Sequence, residues 1–244
     1  MDIIGNIYKQ NCGDYLKVLN KTDKKSSNIS LYECEFQKYP YKILAQKSHI
    51  IRGEIINYNI PDKYGFYLGE KHVNNKEIYK LWLRIKFRCY SEKCISYPRY
   101  GNKGIIVCEE WKCYTNFENW YLNNEYFGFK LQLDKDILFN VNHLEQKIYS
   151  PNTCLLIPEE LNYFLAGDNF SSGVFLTKSK RYGAVLNYKR RRNLGTFSSF
   201  KEAKQVYAKE KYKIWKELIN KYDIKYSLKE TLLKYDFSWY WLKQ

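Results

Sequence analysis

The amino-acid sequence predicts an α+β fold divided among three small modules. Three patterns carry that expectation. Residues 1–70 alternate apolar and polar positions in short runs broken by turn signals, the signature of half-buried strands. Between 131 and 165 a strand, a polar loop, a second strand and a helix follow one another. From 173 onward three short strand-like runs lead into a long stretch with apolar residues at helical spacing. The modules so drawn are a small β-rich leader over 1–70, a central unit over 71–168 and a C-terminal module over 169–244.

In the leader, "YLKVLNKT", "NISLYECEF", "YKILAQ" and "HIIRGEIIN" read as strands of a small barrel or curled sheet, with Lys24–Asn28 as a hairpin loop. "PDKYGFYLGE", 61–70, reads as a linker. In "EIYKLWLRIKFRCY", 77–90, Ile78, Leu81, Trp82, Ile85 and Cys89 recur at helical spacing, while Arg84, Lys86 and Arg88 add positive charge. "GIIVCEEW" reads as a strand entering a turn, and "TNFENWYLNN" as a short helix capped by Thr115. "LQLDKDIL", 131–138, is an apolar strand carrying Asp134, Lys135 and Asp136, charges that a core strand does not need. A polar loop over about 139–148 separates it from a second strand, "IYSPNTCLLI". Pro158 then opens a helix with Glu159 and Glu160 in its first turn, where acids meet the positive end of the helix dipole. "GVFLTKS", "YGAVLNYKRRR" and "NLGTF" read as three further strands. Ser199 and Glu202 form a capping box for a helix whose apolar face is Ala203, Val206, Tyr207, Ile214, Leu218 and Tyr222. Ser227 and Glu230 form a second box for a C-terminal helix.

Lys and Arg number 41 against 26 Asp and Glu, a formal charge of +15, which favours polyanionic partners. No run approaches the roughly 18 apolar residues of a membrane helix. The N-terminal "MDIIGNIYKQ" lacks the basic-then-apolar order of a signal peptide, so a cytoplasmic protein is expected. Seven cysteines, an odd number without an export signal, read as reduced thiols. The 25 tyrosines suit half-buried sheets and wet interfaces.

A carboxylate on the first strand and an amide on the following helix can hold one divalent cation, and oxygen ligands suit magnesium or manganese. Asp134 and Asn162 supply such a pair. The cation would stabilise the leaving oxygen of a phosphodiester while a general base activates water. "LDKDIL" and "YSPNTCLLIPEELN", with "YGNKGIIVCEEWKCYTNFENW" before them, resemble the HNH endonucleases found in phages as homing enzymes. Their fold is a β-hairpin and helix around a metal. The resemblance implies a metal-dependent endonuclease that cuts or nicks double-stranded DNA in a bacterial or phage-infected cell, with Asp134 and Asn162 as ligands of Mg or Mn. Two positions depart from the family pattern. Its general-base histidine is Lys135 here, and the asparagine that orients that histidine is Thr153, with Asn152 one place earlier. Lys135 would then act as the base with a lowered pKa. Alternatively it stays charged on the scissile phosphate while the metal, Asp136 or His143 activates the water. A hairpin that folds but does not cut is the competing reading, and it leaves a sequence-specific DNA-binding protein derived from such a nuclease.

"GVFLTKSKRYGAVLNYKRRRNLGTFSSFKEAKQVYAKEKY", 173–212, resembles the Apetala or ethylene-response-factor DNA-binding domain. The shared features are Gly173-Val174, Tyr182 before Ala184, Leu194-Gly195-Thr196-Phe197, and Glu202-Ala203 opening a helix. The resemblance implies a three-stranded sheet in the major groove of DNA with a helix behind it. Arg181, Tyr182, Lys189, Arg190, Arg191 and Arg192 would then face the duplex, arginine suiting both guanine edges and phosphates. The chain is expected to act as a monomer. An RNA-binding role is the alternative that charge and tyrosine content leave open.

Cys89 with Cys94 and Cys108 with Cys113 are spaced so that four thiolates could close a structural zinc site. The loops between them are longer than the usual two residues, and separate reduced thiols are the reading preferred here. His49 and His72 stand alone and read as structural or exposed residues.

Overall fold

The structure, a computed structural model, describes residues 2–70, 73, 75–126, 128–166 and 173–238. It is α+β, with its strands shared among several small, separate sheets. Two compact units emerge: Met1–Cys94 with Glu109–Asn119, and Ile95–Cys108 with Trp120–Gln244. The first unit therefore runs on past the expected boundary at residue 70 and takes back a later piece of chain.

The first unit opens with strands β1 (Ile7–Lys9), β2 (Tyr15–Ser26), β3 (Ile29–Phe36) and β4 (Lys42–Gln46), an open antiparallel meander in sequence order. Alternation sorts its faces: Leu16 and Val18 are buried while Tyr15 and Lys17 are exposed. They pack with Cys34, Phe36, Ala45 and Ile50 into a small core. The β2–β3 connection is tighter than the expected loop over Lys24–Asn28. Ser27 and Asn28 alone make the turn, both with positive φ (50° and 64°), as a two-residue hairpin of right-handed twist requires. "HIIRGEIIN" is not a strand. Helix α1 (Lys47–Ile51) occupies its start, because Ile50 turns into the sheet core and Gly53 at φ 74° ends the turn.

Residues 61–70 are packed rather than a linker. The Asp62 carboxylate accepts hydrogen bonds from the backbone N–H of Tyr64 (2.8 Å) and Phe66 (3.1 Å) and from Lys86 Nζ (2.6 Å). Phe66 is buried edge-on against Trp82 and Tyr90. Helix α2 (Lys76–Tyr90) starts where the Asn75 side chain accepts from the N–H of Glu77 and Ile78. It buries Ile78, Trp82, Ile85 and Cys89, as the spacing predicts, leaves Leu81 half-buried, and buries the unexpected Lys86. Helices α3 (Glu109–Lys112) and α4 (Tyr114–Asn124) follow, and Trp82 Nε1 donates to the Trp111 carbonyl at 2.7 Å. Thr115 lies inside α4 and is not its cap; its hydroxyl donates to the Leu68 carbonyl.

In the second unit β5 (Ile106–Val107) pairs in parallel with β7 (Ile148–Tyr149), and β6 (Leu131–Asp134) pairs antiparallel with β8 (Leu155–Pro158). Part of the expected polar loop is a helix, α5 (Asp136–Val141), because Ile137 can be buried there. Pro158 ends β8 instead of opening α6 (Glu159–Ala166). Next come β9 (Val174–Leu176), β10 (Tyr182–Tyr188) and β11 (Arg190–Phe197), an antiparallel sheet with β10 central. The sheet packs on α7 (Phe200–Asn220), and α8 (Tyr226–Leu233) closes the described chain. Ile157, Leu161, Phe164, Ala184, Leu186 and Trp215 lie at the centre of this unit's core. Only half of the first capping box forms as expected: Ser199 Oγ accepts from the Glu202 N–H, but the Glu202 carboxylate turns to Ser198. The second does not form, since Ser227 lies within α8 and Glu230 takes the Tyr226 hydroxyl.

Candidate functional site

The β6–β8 hairpin with α6 after it provides the strand, strand and helix order that the sequence predicts. Asp134 ends β6 opposite Leu155 and is only 6% exposed. One of its oxygens accepts from the N–H of Asp136 (2.8 Å) and of Ile137 (2.7 Å), so the carboxylate caps the first turn of α5. Burial, and then the nearby Asp136 charge, push its pKa up to about 6. Lys135 is equally buried. Its ammonium meets Asp136 at 2.8 Å and stands 4.9 Å from the ring centre of Tyr100 and 5.7 Å from that of Tyr149. Asp136 also takes Lys147. Burial raises the Asp136 pKa, yet the two ammonium groups outweigh it and hold the group below the usual carboxylate range.

The other residues expected at this site hold bonds of their own. The Asn162 amide donates to Gln132, whose own amide donates to Glu159; Gln132 is two residues before Asp134 on β6. Thr153 donates to the Ile148 carbonyl and pairs with Ser150. His143 is exposed, at φ 51°, just beyond α5. The six-residue helix, about 9 Å at 1.5 Å per residue, separates it from Asp136. Two carboxylates and two ammonium groups balance each other here. Among the described residues no group of three or more His, Cys, Asp or Glu side chains is set to hold a metal ion. The α5 cap engages Asp134 Oδ1 and the Gln132 bond engages the Asn162 amide nitrogen; a cation would have to use Asp134 Oδ2 and Asn162 Oδ1.

The sheet is arranged differently. Residues paired across β10 and β11 share a face. Tyr182, Ala184, Leu186 and Tyr188 turn toward α7, and their partners Phe197, Arg192 and Arg190 are on that side. Tyr182 accordingly packs against Phe200 and the core. Asn187 and Arg191 pair on the opposite face, with Asn193 and Thr196 farther along β11, and all four are exposed. The "KRRR" run thus does not end the second strand, as expected, but turns the corner at Lys189 (φ 54°) and opens the third. Lys189 leans toward Glu160 at 3.7 Å. Arg190 and Arg191 are exposed, as is Arg181, which also donates to the Thr196 carbonyl. Arg192 is half-buried, and its Nε finds no hydrogen-bond partner among the described residues.

Glu160 was not singled out by the sequence. It accepts from Lys221 (2.6 Å) and from the hydroxyls of Tyr222 (2.6 Å) and Tyr188 (2.8 Å), tying α6, β10 and the end of α7 together. These bonds hold its carboxyl down to about 2. Only its place in an acidic first turn of a helix marked it.

Cys89 is on the buried side of α2, and Cys113 is buried with its sulfur 3.9 Å from the Leu68 carbonyl. Cys94 and Cys108 are half-buried, and the Cys108 N–H donates to the Tyr149 carbonyl. His49 pairs with Glu54 at 2.6 Å, while His72 lies outside the described residues. No described helix is long and apolar enough to cross a membrane. Comparison of the chain with protein-family models, with curated proteins and with solved structures finds no match.

Proposed function

We propose that this protein binds double-stranded DNA through the β9–β11 sheet and does not cut it. The carrying observation is the exposure of Arg191 on an outer sheet face that also presents Asn187, Asn193 and Thr196, with Arg181 exposed before β10 and Arg190 exposed at the β10–β11 turn, on the α7 side. A largely polar strand face, with Phe175 as its exposed apolar residue and guanidinium groups near its ends, suits phosphate binding on either side of a groove. The net charge of +15 supports the same partner. The β6–β8 hairpin acts in this reading as scaffold, since its charges are paired with one another and engaged in the α5 cap.

Fluorescence anisotropy with a labelled duplex tests it. Replacing Arg181, Arg190 and Arg191 with alanine should reduce the slope of log affinity against log salt by roughly 2 to 3, at about 0.9 for each phosphate that is no longer neutralised. An unchanged slope would sink the assignment. The endonuclease reading keeps one supporting observation, the strand, strand and helix order ending β6 at Asp134. Nicking of plasmid DNA with Mg or Mn, abolished by Asp134→Ala, would replace our reading with that one.

A further inference from the structure

The far end of the β2–β3 hairpin has no structural task. Residues 23–29 are exposed on both faces of the ribbon. β4 pairs with β3 only as far back as Leu31, and β1 pairs with β2 only over Tyr15–Lys17. What extends beyond them is a bare two-stranded ribbon. Such a ribbon is marginal by itself in water, because it buries almost nothing. It is nonetheless held in register by Lys25 opposite Ser30, by Ser26 opposite Ile29, and by the two-residue turn at Ser27-Asn28. The Thr22 hydroxyl donates to the Leu31 carbonyl at its base, and the Gln46 amide, from the end of β4, donates to the Ser26 carbonyl beside the turn.

Its charge is also uncompensated. Lys21, Lys24 and Lys25 are all exposed, against a single acid, Asp23. None of the three lysines has an ion-pair partner among the described residues, although other lysines of the chain, such as Lys42, Lys80 and Lys86, do pair with acids. Burial does not explain the ribbon's sequence, and neither does internal charge pairing.

We propose that the ribbon from Lys21 to Ser30 is a second DNA-binding element, its lysines holding the phosphates of a duplex whose major groove admits the ribbon. The major groove, about 12 Å wide, accepts a two-stranded β-ribbon. Strands about 4.8 Å apart with short side chains at the tip (Ser26, Ser27, Asn28) make a narrow one. The reach is set by the shorter strand, since β2 bulges between Lys21 and Lys25: from Leu31 to the Asn28 turn it is roughly 10 Å at 3.3 Å per residue, comparable to the groove's depth of about 8.5 Å. This inference rests on the duplex-binding reading of the chain and adds a site in the first unit to the sheet in the second.

The test uses the full chain, a labelled random-sequence duplex and a salt series. Lys21, Lys24 and Lys25 are replaced together by serine. A control removes the same charge from Lys201, Lys209 and Lys216, on the exposed side of α7. The ribbon variant should reduce the salt slope by roughly 2 to 3 and weaken binding, while the control changes the slope by less than about one. Because the ribbon residues are exposed, the variant should unfold at the parent temperature, which a melting curve checks. If the parent binds duplex and the ribbon variant keeps the parent's slope, this inference fails and the sheet assignment stands. If the variant loses affinity for an RNA hairpin but not for the duplex, DNA is the wrong partner for the ribbon. A parent that binds no duplex at all overturns both.

Discussion

Asp134→Asn separates two jobs for the same carboxylate. As a cap, the side chain needs only an oxygen to receive the N–H groups of Asp136 and Ile137, and asparagine keeps one. As a buried charge, it burdens the folded state. A carboxyl that moves from 3.8 to about 6 on folding binds its proton more tightly when folded. The sign follows: stability falls as pH rises from about 4 through 6 and levels off above, because the folded chain holds the extra proton. At about 1.4 kcal/mol per pH unit of separation, the burden at neutral pH is about 3 kcal/mol. The Asp136 charge supplies part of it and is itself offset by Lys135 and Lys147, so a gain of about 1 to 3 kcal/mol is expected for the asparagine variant at pH 7. The gain should shrink to nothing near pH 4. Urea unfolding at several pH values reads this directly, and duplex binding should stay as in the parent. A variant less stable than the parent at pH 7, or a gain independent of pH, would refute the burial argument. Stabilisation of the parent by Mg that disappears in the variant would show that the carboxylate holds a metal.

Three further outcomes are expected. Lys135→Met should fill the space beside Tyr100 and Tyr149 but leave Asp136 with Lys147 alone, costing about 1 to 2 kcal/mol in urea unfolding; no loss would mean the ammonium contributes nothing net. Glu160→Gln should cost about 2 kcal/mol at pH 7, after allowance for the 26% exposure of the side chain. Since the bonds from Lys221 and the two tyrosines depress its pKa to about 2, the parent's advantage should fade as pH drops from about 4.5 toward 2, and a difference that persists there would contradict the cause assigned. Gly69→Ala should destabilise by about 2 kcal/mol or more, because φ is 85° and the new carbon would sit 2.5 Å from the Cys113 sulfur. Gly104→Ala, at φ 74° in open space, should cost only about 1 kcal/mol, and equal melting temperatures for the two would refute the steric argument.

Periodicity made the regular elements legible. The spacing of Ile78, Trp82, Ile85 and Cys89 located α2, and strand alternation located β2, β3 and β10. What escaped was decided by partners distant in sequence. Asp62 reads as a loop residue until Lys86 is seen to need it, and "HIIRGEIIN" reads as a strand until Ile50 is seen to need a place under the sheet. Asp134 shows the same limit in the candidate site. Its place on a strand was readable, but the expected strand ran on to Leu138, so the end of β6 at Asp134 and the helix that holds its two N–H partners were not. The arginines of "KRRR" were visible as a charge run. Which of them face out depended on a one-residue turn at Lys189 that no local rule announced.

The chain leaves its first unit at residue 94, returns to it at 109 and departs again within α4, after 119. Neither unit can therefore be excised by cutting at one point. A fragment ending at residue 94 would leave the Trp82 indole without its acceptor and Phe66, Tyr79 and Trp82 without Trp111, Tyr114 and Phe117 to complete their aromatic cluster. On the ribosome, the first unit must wait for residues 109–119 to emerge before this aromatic cluster can close. Gene fusion or shuffling that treats the leader and α2 as a portable cassette would carry half a core, and the β9–β11 sheet with α7, although contiguous, shares its core with Ile157, Leu161, Phe164 and Leu232 and would need α6 and α8 to travel with it.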